Sequence, residues 1–313
     1  MPSGSSAVRA AAVLLCNLVL TTAALAEPEP PRSQVLGRGW MLGNDALGDG
    51  QDRWRSVGFS HSAVTGPGWT GHLPERAGEI LEYRFLAEVI APANLVAPDP
   101  ADRRYAGILS AGLHSHFALG RAEARIGADL VAVGPQTGIA RLHEGLHDIL
   151  GLDAIDPDAH RLEDAVYPTL SAEIGWPVAL AGGVLLRPFV DARHGDEDFL
   201  RVGADLALGA VDGQALWLRD PVTGQRHVAV GSGGGRQGLF ATLGADVAAV
   251  AGSEWLPEGG AAVARDGRTR LRAGLGYAGH RVDGFYGLTW LSEEFEGQDD
   301  GQLVGSVTLK LRF

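Results

Sequence analysis

The pentapeptide HEGLH, residues 143–147, places two histidines four positions apart with a glutamate beside the first. On a helix this spacing puts both imidazole rings on one face, where they can bind zinc while the glutamate activates water. Glu163 is a distant candidate for a third ligand, but no feature of the sequence supports it. Gly145 weakens the helix, Gly151 lies one position late for the extended motif, and Asp153 replaces its third histidine. Zinc proteolysis is therefore the least favoured function.

The motif lies in the one stretch, residues 134–151, where the spacing of apolar residues is helical. That stretch starts with Gly-Pro and ends at Gly151, which is a typical helix stop. We expect a short helix there, within a long connection between two strands. Its periodic apolar residues are Ile139, Leu142, Leu146, Ile149 and Leu150.

Most of the remaining sequence alternates between apolar and polar residues, as in residues 80–90, 199–210 and 302–313. Charges at every second position are too frequent for a sandwich core but suit the polar lumen of a membrane barrel. The terminal Phe313 is also typical of bacterial outer-membrane barrels. We therefore predict an all-β fold, a transmembrane antiparallel β-barrel of about 12 strands. The predicted strands are 33–43, 54–65, 79–91, 103–117, 121–133, 166–176, 179–193, 198–210, 236–252, 269–280, 284–294 and 302–313.

The amino terminus has the features of a secretory signal peptide: Arg9, an apolar run and a small-residue cleavage site at Ala26. We expect residues 1–26 to be removed and residues 27–313 to form one outer-membrane β-barrel domain. Cleavage removes Cys16, the only cysteine, so the exported chain has no thiol chemistry. The net charge of −12 argues against nucleic acid as a partner, and an anionic substrate would require a bridging cation.

The predicted topology places the helix outside the cell. With the amino terminus on the periplasmic side, connections that follow odd-numbered strands are extracellular, and residues 134–165 follow the fifth. Residues 211–235 fit the scheme least well, either as a long connection or as a further short hairpin.

Three stretches in fixed order resemble one enzyme family. They are GNDALGDGQDRWRS (43–56), APDPADRRYAG (97–107) and VAVGPQTGIARLHEGLHDILG (131–151), and GLTWLSEEF (287–295) is also similar. Together they resemble the outer-membrane lipid A 3-O-deacylases of the LpxR type, over nearly the whole exported chain. The resemblance implies a twelve-stranded barrel that hydrolyses the ester of the 3′-linked acyloxyacyl chain of lipid A, with Ca²⁺ as cofactor. Lipopolysaccharide in the outer leaflet would be its substrate.

The resemblance also implies the catalytic residues. Asn44 and Asp45 match the family's Asn-Asp pair, and His147 matches its catalytic histidine, whereas His143 has no counterpart. Ser56 stands where the family has a threonine. We expect His147 to act as a general base on water and Ser56 to orient water or substrate. A serine nucleophile remains an alternative.

A calcium site follows from the same comparison. Asn44, Asp45 and Asp153, which replaces a family glutamate, would supply the oxygen ligands that calcium prefers. The family's oxyanion-stabilising lysine has no match; either Arg103 or Arg104 replaces it, or backbone donors form the oxyanion hole.

A barrel without catalysis, serving as a channel or structural element, is the alternative from another class. Inward charges such as Arg84, Glu88, Arg125 and Asp129 would then fill a modest lumen, since only larger barrels leave an open channel. The sequence leaves open which acyl chain is removed and whether the chain forms oligomers.

Overall fold

The computed structural model describes Arg9, residues 33–235 and residues 237–311. The predicted signal peptide and cleavage site, apart from Arg9, and the terminal Phe313 lie outside the described residues. Among those described, no helix is long and apolar enough to cross a bilayer.

Within the described residues, twelve antiparallel strands form a closed barrel, in which β1 pairs with both β2 and β15, and β6 pairs with β8. Three short strands, β7, β10 and β11, are not members of this ring. The strands are β1 (Gln34–Asn44), β2 (Trp54–Gly66), β3 (Ile80–Ala91), β4 (Ala106–Leu119), β5 (Ala122–Val133), β6 (Ala165–Gly175), β7 (Val178–Leu180), β8 (Val184–His194), β9 (Glu197–Gly209), β10 (Leu216–Arg219), β11 (Arg226–Val230), β12 (Gly238–Ser253), β13 (Gly267–Ala278), β14 (Val282–Leu291) and β15 (Gln302–Leu311). One α-helix, α1 (Ile139–Leu150), lies between β5 and β6.

The two faces of the wall differ as the sequence pattern predicts. On β3, Glu82 and Arg84 are buried in the lumen, whereas Tyr83 and Phe85 between and beside them are exposed on the outer surface. A closed ring leaves no unpaired strand edge, which a hydrocarbon environment requires. The prediction of a transmembrane antiparallel barrel with a short helix in one connection is confirmed.

Two predicted strand boundaries were wrong for local reasons. The segment 179–193 is interrupted at Gly182 and Gly183, whose positive φ angles of 75° and 77° end β7 before β8 begins. The fourth strand begins at Ala106 rather than at 103, because the preceding Tyr105 pairs with Arg161 of the long connection instead.

Residues 211–235 contain a hairpin, β10–β11, that lies inside the barrel. Arg219 pairs with Glu173 on β6 (2.8 Å) and with Asp205 on β9 (2.7 Å), and the Ser60 hydroxyl on β2 donates to Asp220 (2.7 Å). Strands β2 and β9 lie on opposite sides of the ring, so a segment that contacts both must occupy the lumen.

The hairpin packs closely against β1. A side chain at Gly37 would place its Cβ 2.2 Å from the carbonyl oxygen of Ala229, so only glycine permits this approach. Leu216, Leu218 and Val230 are buried in a cluster with the barrel wall. The hairpin therefore acts as a plug, which disfavours the open-channel alternative.

Replacing residues 216–230 with a short Gly-Ser linker is expected to open the lumen, because the buried charges of the wall would then be hydrated. Liposome swelling with small sugars measures the change. The intact protein should pass little solute and the linker variant should pass it readily, with the folded state of each checked by gel migration without heating. Rapid flux through the intact protein would instead favour the channel.

Candidate functional site

Helix α1 packs on the outer surface of the barrel. Ile139 at its start belongs to the same buried cluster as Val89 and Ala91, which lie on the outward face of β3. The inward residues of the same strands, Ile90 and Ile108, belong to a separate cluster in the lumen. A site beneath the helix therefore lies on the outer face of the wall and not in the lumen.

A glycine on β4 permits this packing. A Cβ added to Gly107 would lie 2.8 Å from Cβ of Ile139, and the Thr137 hydroxyl donates to the carbonyl oxygen of Gly107 (3.3 Å). Gly107 is the last residue of the APDPADRRYAG stretch.

The connection between β1 and β2 is held by Asp45. Its carboxylate accepts the N–H groups of Ala46 (2.9 Å) and Arg53 (2.7 Å) and the amide of Gln302 (3.3 Å). Burial raises the pKa of Asp45 to about 8, outweighing the opposite effect of the Arg53 N–H, and the nearby Asp52 carboxylate raises it further. Asp45 thus closes a loop and positions the residues that follow.

Strand β2 begins with an irregularity that turns Ser56 toward this loop. Trp54 has a φ angle of 54°, the one positive value for a non-glycine residue in the described chain, and such strain is common near functional sites. A bulge follows between Arg55, whose guanidinium points into the lumen, and Val57, which faces outward. Ser56 is the extra residue, and its buried hydroxyl donates to Asp52 Oδ1.

Asp52, His143 and His147 form the centre of the candidate site. His147 Nε2 lies 2.8 Å from Asp52 Oδ2, and His143 Nε2 lies 3.8 Å from the same oxygen. Their ligand atoms all lie within 4.8 Å of one another, and no other such group of three or more His, Cys, Asp or Glu side chains occurs in the described part of the chain. Both rings are buried, whereas the Asp52 side chain is 34% exposed, so the group opens to the surface at Asp52.

Each imidazole is oriented from behind. Gly151 ends α1 in the left-handed conformation, so that the carbonyl oxygen of Asp153 accepts a hydrogen bond from Nδ1 of His147 (2.8 Å). The Tyr105 hydroxyl lies 3.2 Å from Nδ1 of His143. Burial lowers the pKa of His143, although Asp52 partly offsets this, and burial raises the pKa of Tyr105. Tyr105 therefore remains a neutral phenol.

The structure brings two of the predicted residues into the group and leaves others outside it. His147 and Ser56 both contact Asp52. Asn44 is half-buried at the end of β1, and Asp153 contributes its carbonyl oxygen while its side chain is exposed.

The two arginines considered as oxyanion donors are placed differently. Arg103 is buried and bound to Glu294 inside the barrel mouth, which removes it from the outer surface. Arg104 is exposed, as is Glu163, the third zinc ligand considered from the sequence.

Sequence reasoning missed Asp52 and Tyr105 and set aside His143. Asp52 lies in the GNDALGDGQDRWRS stretch, four positions before Ser56, and Tyr105 lies in the RRYAG stretch. For His143, the four-residue spacing was the available signal, because it places this ring on the same helical face as His147.

No protein-family model matches the chain, and no curated protein matches it in sequence. LpxR from Salmonella typhimurium is structurally similar, with a TM-score of 0.72 and 17% sequence identity over 90% of this chain and 100% of that chain. The chain has the LpxR fold. The β domain of the Bordetella autotransporter BrkA (TM-score 0.39, 11% identity, 88% and 99% covered) and the translocator domain of NalP from Neisseria meningitidis (0.37, 10%, 99% and 98%) are too dissimilar to support an argument.

Within this LpxR fold, the candidate site lies apart from a large cavity in the barrel. That cavity, about 480 Å³, lies at the opposite end of the barrel, between the plug and the wall. It is lined by residues that include Trp40, Trp217, Arg226 and Phe240 and by none of the Asp52 group.

The contact between α1 and the wall requires that Gly107 has no side chain. Gly107→Ala is expected to speed amide exchange in α1, because the new methyl group would overlap Ile139. Amide exchange in the barrel strands should stay as slow as in wild type. Amide hydrogen exchange of residues 139–150 measures this. Gly145→Ala is the matched control: its Cβ meets nothing within 4 Å, and alanine favours a helix by about 1 kcal/mol, so exchange should slow. Equal exchange in both variants would contradict the contact.

The stability of the loop that Asp45 closes should depend on pH. The pKa of Asp45 is raised on folding, so its stabilising effect is complete below about pH 4 and is lost as the pH rises toward about 8. Local opening of residues 45–53 should therefore increase between pH 5 and pH 8, as measured by amide exchange corrected for intrinsic rates. Asp45→Asn, which cannot ionise, should show a flat profile. A wild-type profile that is also flat would contradict the raised pKa.

Proposed function

We propose that the chain is an outer-membrane lipid A deacylase that hydrolyses the ester of the 3′-linked acyloxyacyl chain. The observation that carries the proposal is the Asp52–His147 pair, which lies on the outer wall of a membrane barrel, beneath a helix. The sequence resemblance to the LpxR-type deacylases and the fold shared with LpxR both support it.

The surface beside the pair suits a substrate with long acyl chains. Leu142, Leu146, Ile149 and Leu150 of α1 are 43–81% exposed and point away from the wall. In water such a stripe would be unfavourable, since burying one such side chain is worth about 1.5–3 kcal/mol. Against acyl chains it provides a continuation of the apolar outer surface of the barrel.

Ester hydrolysis requires a group that takes a proton from water and later returns it to the leaving alkoxide. His147 Nε2 and Asp52 Oδ2 lie 2.8 Å apart, so a proton taken from a water molecule at the exposed edge of Asp52 can be held between them and returned to the leaving alkoxide. Ser56 is fully buried and bonded to Asp52 rather than to a histidine, so we assign it the positioning of Asp52 and not nucleophilic attack.

Calcium stays a prediction. The three expected ligands do not fit one ion as they stand, because both oxygens of Asp45 already accept main-chain N–H groups in a buried loop and the Asp153 carboxylate is exposed to solvent. The side chains that meet at Asp52, and not a calcium ion, therefore carry the proposed chemistry.

Mass spectrometry of lipid A from cells that carry the protein in their outer membrane tests the proposal. Wild type should remove the mass of an acyloxyacyl unit, while His147→Ala and Asp52→Asn should reduce conversion at least about 100-fold, since general acid–base groups contribute 10²–10⁴. Asp148→Asn, an exposed change on the same helix, should convert as wild type does. Unmodified lipid A from folded wild type, with both calcium and zinc supplied, would refute the deacylase.

A further inference from the structure

The two histidines of HEGLH direct the same ring nitrogen at the same carboxylate. Nε2 of His147 and Nε2 of His143 lie 2.8 Å and 3.8 Å from Asp52 Oδ2, and all three ligand atoms fit within 4.8 Å. Ligand atoms about 2 Å from a tetrahedral ion lie roughly 3.3 Å from one another. The 2.8 Å and 3.8 Å separations lie on either side of that value, and the group has one open side where Asp52 is exposed.

The hydrogen-bond pattern at His147 points to a cation. The carbonyl oxygen of Asp153 can only accept, so Nδ1 of His147 carries the hydrogen of that 2.8 Å contact. In the neutral ring, Nε2 then presents a lone pair to the Asp52 carboxylate, which is also an acceptor. Two acceptors at 2.8 Å require a positive charge between or on them, either a proton or a metal ion.

The surroundings are those of metal ligands. Histidines that bind metals have their outer nitrogen held by a carbonyl or another polar group, and ligating carboxylates are themselves hydrogen-bonded. Here Asp153 O holds His147, the Tyr105 hydroxyl contacts His143, and Ser56 donates to the second oxygen of Asp52. Every side chain of the group therefore has a partner that fixes its direction.

We propose that His143, His147 and Asp52 bind a divalent transition-metal ion of the zinc type, with an open position on the exposed side of Asp52. Two imidazoles and one carboxylate suit zinc, whereas calcium takes oxygen ligands only. The third ligand comes from the β1–β2 connection and not from Glu163, which is exposed. The inference stands apart from the proposed function, because it rests on the donors alone. With the ion bound, His147 is a ligand and not a free base.

Purified folded protein, stripped with a chelator, tests the site. Isothermal titration with Zn²⁺ should give one ion per chain, and excess Ca²⁺ should not displace it. Asp52→Asn and His143→Gln should each weaken binding at least tenfold. His194→Ala is the matched control. His194 also pairs with an aspartate, Asp198 at 2.7 Å, but it belongs to no cluster of three metal-binding side chains among the described residues. It should bind zinc as wild type does.

X-ray absorption spectroscopy of zinc-loaded wild type needs no variant, so it tests the site even if a variant fails to fold. The spectrum should show two imidazole ligands on the zinc ion. No zinc binding by wild type, equal binding by the Asp52→Asn variant, or a spectrum without imidazole would overturn the inference and leave a proton between His147 and Asp52. Zinc binding with unmodified lipid A would refute only the deacylase. Deacylation by protein that binds no zinc would refute only the metal site.

Discussion

The closed strand ladder is the constraint on which the other features depend. In hydrocarbon no water can satisfy a main-chain N–H or C=O group, so the wall must pair every strand with two neighbours, and the β6–β8 and β1–β15 pairs complete the ring. A closed wall has one polar and one apolar face. This difference decides where the two long insertions lie. The charged hairpin 216–230 lies in the polar lumen, and α1 lies on the apolar outer face.

The orientation of α1 is the reverse of that in a water-soluble protein. Its histidines and Ile139 face the protein, whereas its exposed apolar residues face outward, namely Leu142, Leu146, Ile149 and Leu150. This arrangement is stable only where the surroundings are apolar, because the exposed stripe would otherwise be hydrated. The helix thus covers both histidines of the Asp52 group, whose rings are buried, while Asp52 itself stays partly exposed.

Several features were readable from the sequence because they recur or depend on a single residue. Alternating charges such as Glu82 and Arg84 predicted the lumen face, and Gly151 predicted the end of α1. The plug was not readable, since its two strands of four and five residues are too short for a period to show and its charges resemble those of a loop. Asp52 was hidden because its position depends on the Asp45–Arg53 hydrogen bond and on the bulge at Ser56. Asp153 contacts His147 through its main-chain oxygen, and a main-chain contact cannot be predicted from the type of side chain.

The spacing of HEGLH predicted that both histidines share one helical face, although the resemblance gave a role to His147 alone. A helical interval of four fixes where two side chains point but says nothing about what they meet, which here is supplied by a connection some ninety residues earlier in the chain. Whether the contact between these histidines and Asp52 serves acid–base chemistry or metal coordination depends on what lies between His147 Nε2 and Asp52 Oδ2. A proton there is the one that His147, with Asp52, takes up as the base that the resemblance implies. A metal ion there makes His143 an equal partner and explains why both rings are anchored from behind.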